Sequence, residues 1–420
     1  MYPNTLRTPA AALAALALLA ACGDATGPRQ DAEPAAAFQR LLVADASAPS
    51  ARLIGLHDDA VVATYALSAP ASLVYRTASG RFGGVHQRTA DRVQFIDGGV
   101  WTHDDEAHRQ APALLGFQLQ DALPTYENVN GNWFSVFFDG SGIARWMRES
   151  DKMAGSPAVT FEANTGGAHH GGAFTVLSGT TPFFAHSVPN AAGAPTGVAV
   201  RNQQGQVVAE IPVGECPGLH GNGSVGANGV FGCNNGMVLV RATTSGATAQ
   251  KVTLTGDMAG LALRNAYTAS GGAFILGQFA AFPGQPTQRV FAVIEPATGA
   301  IHRLPALPAG VSDHWRTVEP AKGQIAILGN NGTLYVYSGV TRQLQHTVAN
   351  VVPALPAAGA MPHQVAVAED VAAVASPSTG EVVLVNLASG GVIRRISVGG
   401  APSRIAILGA QASGRYTLHP

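Results

Sequence analysis

Phe231-Gly-Cys-Asn-Asn-Gly-Met-Val-Leu-Val240 has the pattern of two short strands joined by a tight hairpin, because its Asn-Gly pair tolerates the positive φ angles that such a turn requires. Similar strand–turn–strand units recur at Phe291–His302, Ile327–Tyr337 and Val374–Val385. A repeat of about 30 to 45 residues with four short strands in each unit is typical of a β-propeller. The pattern therefore predicts an all-β fold that consists of a single β-propeller.

The repeats favour eight blades, and seven blades is the alternative because the second and third units are weakly marked. The expected units lie at 39–69, 70–100, 125–150, 169–213, 219–254, 261–306, 314–349 and 362–398. The first unit begins at its second strand, so we expect Ser403-Arg-Ile-Ala-Ile-Leu408 to supply the missing inner strand. Such closure of the chain removes open sheet edges. The segment 101–124 breaks the pattern and is interpreted as an exposed loop between blades.

The composition favours the same fold and argues against several functions. The 420 residues include 50 glycines and 26 prolines, and only 12% are charged, which is typical of many short strands joined by turns. A net charge of -1 predicts no nucleic-acid partner. The sequence has no nucleophile elbow, phosphate-binding glycine loop or zinc-protease helix, so we do not expect an enzyme. A lactonase or hydrolase that uses the carboxylates at 104–106 is the least favoured alternative.

The first 22 residues predict export of the chain. The apolar run Ala10–Ala21 follows the basic Arg7 and is too short to cross a bilayer. Leu19-Ala-Ala-Cys22 is similar to a bacterial lipobox, which predicts a lipid anchor on Cys22, and an ordinary signal peptide with an incidental cysteine is the alternative. We expect a lipoprotein of the cell envelope or periplasm. The predicted divisions are a signal peptide at 1–22, a flexible tether at 23–38, the propeller at 39–410 and a tail at 411–420.

Two of the three cysteines flank a histidine in Cys216-Pro-Gly-Leu-His220-Gly, which precedes the Phe231-Gly-Cys233 strand. Outside the cytosol, a Cys216–Cys233 disulfide can form and persist. If these cysteines pair, they fix the turn that carries His220 onto the neighbouring strand. Closing a loop of this length contributes about 3 kcal/mol in the chain-entropy account of disulfides. We therefore interpret His220 as a residue that is held in place for a function.

Histidines recur where the inner strands of several blades begin, at one mouth of the expected central channel. They are His169, His170, His220, His314 and His363. Imidazoles from different blades can supply the nitrogen ligands that zinc prefers. Neighbouring residues on a strand point to opposite faces, so we do not expect His169 and His170 to ligate one ion together. Packing and hydrogen bonding at the strand starts is the alternative, and it is favoured for His314 and His363.

A second group of candidates lies in the acidic segment Trp101–His108, which contains His103 and His108. A solvated polar loop is the alternative interpretation of this segment.

Taken together, the sequence resembles the AztD family of periplasmic zinc metallochaperones over roughly 40–410. The matching motifs are Leu42-Val-Ala-Asp45, Val93-Gln-Phe-Ile-Asp97, the loop His103–His108, Phe137-Phe-Asp-Gly140, His169-His-Gly171, Cys216-Pro-Gly-Leu-His-Gly221 and Phe231-Gly-Cys233. The resemblance implies a propeller that holds zinc through histidines and passes it to the solute-binding protein of an ABC transporter, with the acidic loop as a mobile collector. The zinc ligands that it implies are His103, His108, His169, His170 and His220.

The chain also departs from the family pattern. Tyr126 and Asn130 stand where family members usually carry histidine, and Asn222 stands where a glutamate often follows the histidine-glycine turn. These departures predict weakened or lost zinc binding, unless His186 or His314 compensates. The alternative function is a non-metal propeller scaffold that presents loops to another protein of the cell envelope.

Overall fold

The computed structural model describes residues 38–103, 106–149, 159–269, 271–281, 289–319, 322–355 and 362–409. Their strands form eight four-stranded sheets and one additional two-stranded sheet. The eight larger sheets are the blades of a β-propeller, so the predicted all-β fold and the preferred blade number are confirmed. The predicted leader with Cys22, the tether up to residue 37 and the tail at 411–420 lie outside the described residues.

The first four blades follow the chain order, apart from the strand that closes the ring. Blade 1 contains β1 (Gln39–Asp45), β2 (Ser50–Gly55), β3 (Val61–Ala66) and β34 (Pro402–Gly409). Blade 2 contains β4 (Leu73–Arg76), β5 (Phe82–Gln87), β6 (Arg92–Asp97) and β9 (Ala113–Gln120). Blade 3 contains β10 (Pro124–Asn130), β11 (Trp133–Phe138), β12 (Ile143–Arg148) and β13 (Phe161–Asn164). Blade 4 contains β14 (Ala173–Ser178), β15 (Thr181–Pro189), β16 (Pro195–Arg201) and β17 (Val207–Ile211).

The other four blades each use four consecutive strands. Blade 5 contains β18 (His220–Val225), β19 (Asn228–Cys233), β20 (Gly236–Thr243) and β21 (Gly246–Val252). Blade 6 contains β22 (Leu261–Tyr267), β23 (Ile275–Ala281), β24 (Val290–Ile294) and β25 (Ile301–Arg303). Blade 7 contains β26 (Asp313–Val318), β27 (Gln324–Gly329), β28 (Leu334–Ser338) and β29 (Leu344–Val348). Blade 8 contains β30 (Val365–Ala368), β31 (Val371–Ser376), β32 (Glu381–Asn386) and β33 (Gly391–Ser397).

The ring is closed by β34, as the sequence predicts. This strand pairs antiparallel with β1, and Leu42 lies opposite Ala406 in the register. Both side chains are buried. The last described strand of the chain thus completes the first blade, which leaves no open edge between the ends of the ring.

Burial within a blade decreases from the middle strands to the outermost strand. All residues of β11 and β27 are buried, because neighbouring blades cover both faces of these strands. The outermost β3 alternates between exposed and half-buried residues. Apolar layers between neighbouring blades form the core, such as the layer in which Leu41 of blade 1 packs with Ala373 and Leu384 of blade 8.

The segment 101–124 differs from its interpretation as an exposed loop between blades. It contributes β9, which pairs with β6 as the fourth strand of blade 2, with Gln94 opposite Gln118. Before β9, the strands β7 (Val100–His103) and β8 (Glu106–Arg109) form a hairpin inserted within the blade. An outermost strand pairs on one side only and is partly exposed to solvent. Apolar and polar residues can therefore alternate along it, and it lacks the continuous apolar run of an inner strand.

Blade 3 also extends beyond its expected end at 150, because its fourth strand β13 ends at Asn164. Within the described part of the chain, no helix is long and apolar enough to cross a membrane.

Candidate functional site

The disulfide between Cys216 and Cys233 fixes the turn that leads into β18. The sulfur atoms are bonded at 2.01 Å, and both cysteines are buried in the apolar layer between blades 4 and 5. His220 is the first residue of β18 and follows this turn directly. Gly221 has a φ of 72°, and a Cβ at this position would lie 2.6 Å from the Arg264 carbonyl oxygen. The glycine therefore lets the backbone of β18 approach blade 6 closely.

His220 uses this close approach to bond to the neighbouring blade. Its Nδ1 lies 2.5 Å from the carbonyl oxygen of Arg264. A carbonyl oxygen only accepts hydrogen bonds, so Nδ1 carries the proton and Nε2 keeps its lone pair. Burial lowers the pKa of His220, which favours the neutral imidazole at neutral pH. Among the described residues, Nε2 has no hydrogen-bond partner, so it is available to a ligand.

His170 is oriented by a carboxylate from the preceding blade. It lies just before β14, and its Nδ1 is 2.8 Å from Oδ2 of Asp139, which follows β11. The same carboxylate oxygen accepts a hydrogen bond from Nη2 of Arg88 at 3.0 Å. Burial opposes ionisation of Asp139, but the hydrogen bonds from His170, Thr125 and Arg88 outweigh it and lower the pKa of the carboxyl. Asp139 is therefore ionised and keeps the proton of His170 on Nδ1.

The two oriented imidazoles lie next to each other. The ring centroids of His170 and His220 are 5.1 Å apart. Tyr126 on β10 joins them, with its hydroxyl 3.1 Å from Nε2 of His170 and its ring 6.4 Å from the ring of His220. Burial raises the pKa of Tyr126, so its phenol stays protonated. We call these three side chains the two-histidine site.

The arrangement has the outer-shell contacts of a metal-binding histidine pair. Histidines that ligate metals usually donate their second ring nitrogen to a carboxylate or a backbone carbonyl, which fixes the tautomer and the ring orientation. Asp139 supplies the carboxylate for His170, and Arg264 supplies the carbonyl for His220. Among the described residues, however, no group of three or more histidine, cysteine, aspartate or glutamate side chains could hold a metal ion.

His169 lies in the core and not in the two-histidine site. Its Nδ1 is 2.7 Å from the carbonyl oxygen of Gly167, and its Nε2 is 2.9 Å from the hydroxyl of Ser187. Its ring packs edge-on against Phe137 at 5.0 Å. Both nitrogens are thus engaged within the protein, and adjacent His170 points elsewhere.

His108 contacts its own hairpin, where its ring stacks on Trp101 at 5.4 Å. The backbone of His103 belongs to β7 of the same hairpin, and its side chain lies outside the described part of the structure.

The two histidines named as compensating ligands have other contacts. Nε2 of His186 accepts a hydrogen bond from Nε of Arg201 at 3.0 Å. His314 pairs with His363 of the next blade, with ring centroids 5.3 Å apart, and its Nε2 accepts the backbone N–H of His363 at 3.1 Å. The described residues therefore contain two histidine pairs between neighbouring blades, and a carboxylate orients a ring nitrogen in the His170–His220 pair.

The sequence alone does not reveal a role for Asp139 or Arg88. Asp139 is part of the quoted Phe137-Phe-Asp-Gly140 motif, where an ionisable residue directly after an apolar strand was the available signal. Arg88 lies between β5 and β6 and has no comparable signal, since it reaches Asp139 only through the packing of blade 2 against blade 3.

The fold and the site define an eight-bladed β-propeller with a pair of oriented histidines between two blades. Two solved structures of AztD from Citrobacter koseri, one of them in the apo form, have this fold. Their TM-scores are 0.75 and 0.76 at 22% sequence identity, and each match covers 88% of this chain and 98% of that chain. Dihydro-heme d1 dehydrogenase NirN is more distant, with a TM-score of 0.52 and 12% identity over 90% of this chain and 76% of that chain.

No protein-family model and no curated protein sequence matches the chain. The expected likeness to AztD is confirmed for the fold.

Proposed function

We propose that this protein binds zinc at the two-histidine site and acts as a zinc-handling propeller. The observation that carries the proposal is the orientation of both imidazoles by outer-shell acceptors, the Asp139 carboxylate and the Arg264 carbonyl. These contacts make Nε2 of each imidazole the ligand atom: that of His220 has no hydrogen-bond partner among the described residues, and zinc would displace the Tyr126 hydroxyl from that of His170. Burial favours the neutral form of His220, which is the form that coordinates zinc.

The same site favours exchangeable zinc over a permanently bound ion. A closed structural site usually supplies four protein ligands, whereas this site supplies two imidazoles and the phenol of Tyr126. The phenol is protonated and therefore a weak ligand, so exogenous ligands would complete the coordination. A site that is left open in this way can release its ion to a partner with more ligands. The departures at Tyr126 and Asn222 from the family pattern fit such a weakened site.

We also propose export of the protein, its lipid anchoring through Cys22, and delivery of the zinc to the solute-binding protein of an ABC transporter. These steps are supported by the lipobox-like Leu19–Cys22 and by the motifs that resemble the AztD family. In this proposal, His103 and His108 collect zinc on the β7–β8 hairpin and do not belong to the two-histidine site. Transfer of zinc from the loaded protein to a co-purified solute-binding protein, measured by size-exclusion chromatography and metal analysis, tests the delivery step.

Zinc titration of the metal-stripped residues 23–420 by calorimetry tests the binding step. We expect about one zinc per chain, with binding weakened at least tenfold in His170→Ala and in His220→Ala. His57→Ala is the matched control, because His57 is an exposed histidine on blade 1. Unchanged binding in both site variants would remove the two-histidine site from the account. No binding beyond that of surface histidines would favour the non-metal scaffold.

A variant that is expected to tighten zinc binding also tests the two-histidine site. Tyr126→His places a third imidazole beside His170, where the phenol hydroxyl is 3.1 Å from Nε2. We expect this variant to bind zinc at least tenfold more tightly than the natural chain, because imidazole is a far better zinc ligand than a protonated phenol.

A further inference from the structure

The inner strands of the propeller enclose a cavity of about 480 Å³. Its walls come from strands β4, β10, β22, β26, β30 and β34 and from the start of β18. Cavities of about 300–1,000 Å³ with apolar walls and a few polar groups are typical of small-molecule sites. Tyr126 on β10 also lines the cavity, but Arg404 and Trp315, which carry the argument below, lie on blades 1 and 7.

Arg404 brings a positive charge into this cavity without a matching carboxylate contact. It lies on β34, and its guanidinium is centred 5.1 Å from the ring centroid of Trp315, which also lines the cavity. Among the described residues, no hydrogen-bond acceptor contacts its guanidinium. Burial lowers the pKa of Arg404 to about 10, so the group is still charged at neutral pH.

The neighbouring Arg316 differs from Arg404 because its guanidinium has partners within the protein. It also lines the cavity, but Nη1 forms an ion pair with Oδ2 of Asp313 at 3.0 Å, and Nε donates to the hydroxyl of Tyr267. Arg316 is thus satisfied within the protein, whereas the five N–H donors of Arg404 are available to a bound molecule.

Glu127 on β10 is a second ionisable side chain of the cavity wall. Among the described residues, no hydrogen bond or ion pair joins its carboxyl group to Arg404. The guanidinium of Arg404 therefore keeps its donors for a bound molecule.

We propose that the central cavity binds a small organic carboxylate, held by the free guanidinium of Arg404 with Trp315 as an aromatic wall. A planar guanidinium matches the two oxygens of a carboxylate in a bidentate contact. The aromatic ring behind the guanidinium and the enclosed volume favour a molecule with an apolar body.

Calorimetry and thermal shift with benzoate and butyrate, compared with the uncharged benzamide and butyramide, test the proposal on residues 23–420. We expect at least one acid to bind and stabilise the protein, and the amides to have no effect. Arg404→Gln should weaken binding of that acid at least tenfold. Arg303→Gln is the matched control, since Arg303 forms an exposed ion pair with Asp257 far from the channel wall. Binding of the amides as strongly as the acids would overturn the proposal.

Two further variants, Arg404→Lys and Glu127→Gln, test whether binding depends on the bidentate geometry of Arg404 and on the charge of Glu127. If Arg404→Gln does not fold, Arg404→Lys keeps the charge and loses the bidentate fork, so a tenfold weakening is again expected. Glu127→Gln keeps the shape of the cavity wall and removes its acidic group, so it should retain carboxylate binding. Strong binding of phenylalanine that is lost in Glu127→Gln would instead identify a zwitterion site with an ionised Glu127, and would overturn the proposed carboxylate site. Unchanged benzoate binding in both Arg404 variants would also overturn it.

Discussion

Replacing Asp139 by asparagine probes the part of the two-histidine site that orients a ligand without touching the metal. The carboxylate accepts hydrogen bonds from Nδ1 of His170 at 2.8 Å and from Nη2 of Arg88 at 3.0 Å. Asparagine has nearly the same shape but is uncharged. Its oxygen can still accept one of these bonds, but it no longer makes the imidazole of His170 more basic or compensates the charge of Arg88.

The expected magnitudes follow from these contacts. Loss of an outer-shell carboxylate typically lowers metal affinity about 10- to 100-fold, which corresponds to roughly 1.4–2.7 kcal/mol of binding free energy. Removing one partner of a buried ion pair costs about 3–5 kcal/mol of stability, but exposed pairs contribute at most about 1 kcal/mol. The Asp139 side chain is 8% exposed and that of Arg88 is 35% exposed, so Arg88 can turn toward solvent. We therefore expect a stability loss of about 1–2 kcal/mol.

A chelator-competition titration of zinc measures the affinity, and urea unfolding of the metal-free protein measures the stability. Asp121→Asn is the matched control, because Asp121 forms an ion pair with Arg145 at 2.9 Å on the same side of the ring without contacting a histidine. The control should lose stability and keep its zinc affinity. Equal zinc affinity in Asp139→Asn and the natural chain would refute the orienting role of Asp139.

Three further predictions concern the fold. Replacing Cys216 and Cys233 by alanine should lower the free energy of unfolding, measured by urea denaturation, by about 3 kcal/mol, because the disulfide closes a loop of 17 residues. Equal urea midpoints for the variant and the natural chain would show that the disulfide does not stabilise the fold. His86 is buried with no hydrogen-bond partner for either ring nitrogen among the described residues, and burial lowers its pKa to about 3. The folded state keeps His86 neutral, whereas the unfolded chain takes up a proton below its pKa near 6.5. The free energy of unfolding therefore falls as the pH drops from 6.5 toward 3, and the loss is about 2 kcal/mol at pH 5. Thermal unfolding at pH 8 and pH 5 should therefore show a smaller acid destabilisation in His86→Leu than in the natural chain, and parallel losses would contradict the buried neutral state. Truncation after residue 398 removes β34 and exposes the edge of β1, so the shortened chain should aggregate or unfold in size-exclusion chromatography, whereas a monomer of unchanged stability would show that closure is dispensable.

The repeating strands and turns were predictable because they depend on local sequence. Hairpins such as Cys233-Asn-Asn-Gly236 have their turn residues within a few positions, and the middle strands have continuous apolar runs. The hairpin β7–β8 and the outermost strand β9 were missed, because an insertion interrupts the repeat and an edge strand needs no apolar run. The closing strand β34 was predictable because the first unit lacks an inner strand.

The candidate site was predictable only in part. His170 and His220 stand at equivalent places of the repeat, and the propeller geometry brings equivalent places of neighbouring blades together. Their orienting partners, Asp139 and the carbonyl of Arg264, depend on how blades 3 to 6 pack, and this information is spread over residues 139–264 of the sequence. The free guanidinium of Arg404 has no local signal, since only the closed ring encloses it.

Anomalous X-ray diffraction at the zinc absorption edge, on crystals of the zinc-loaded protein, shows directly whether the ion lies at the two-histidine site. We expect an anomalous peak about 2.0–2.1 Å from Nε2 of both His170 and His220. Comparable peaks below the edge should be absent, which identifies the ion as zinc. A dominant peak at His314 and His363, or none at the two-histidine site under saturating zinc, would show that His170 and His220 do not bind the ion.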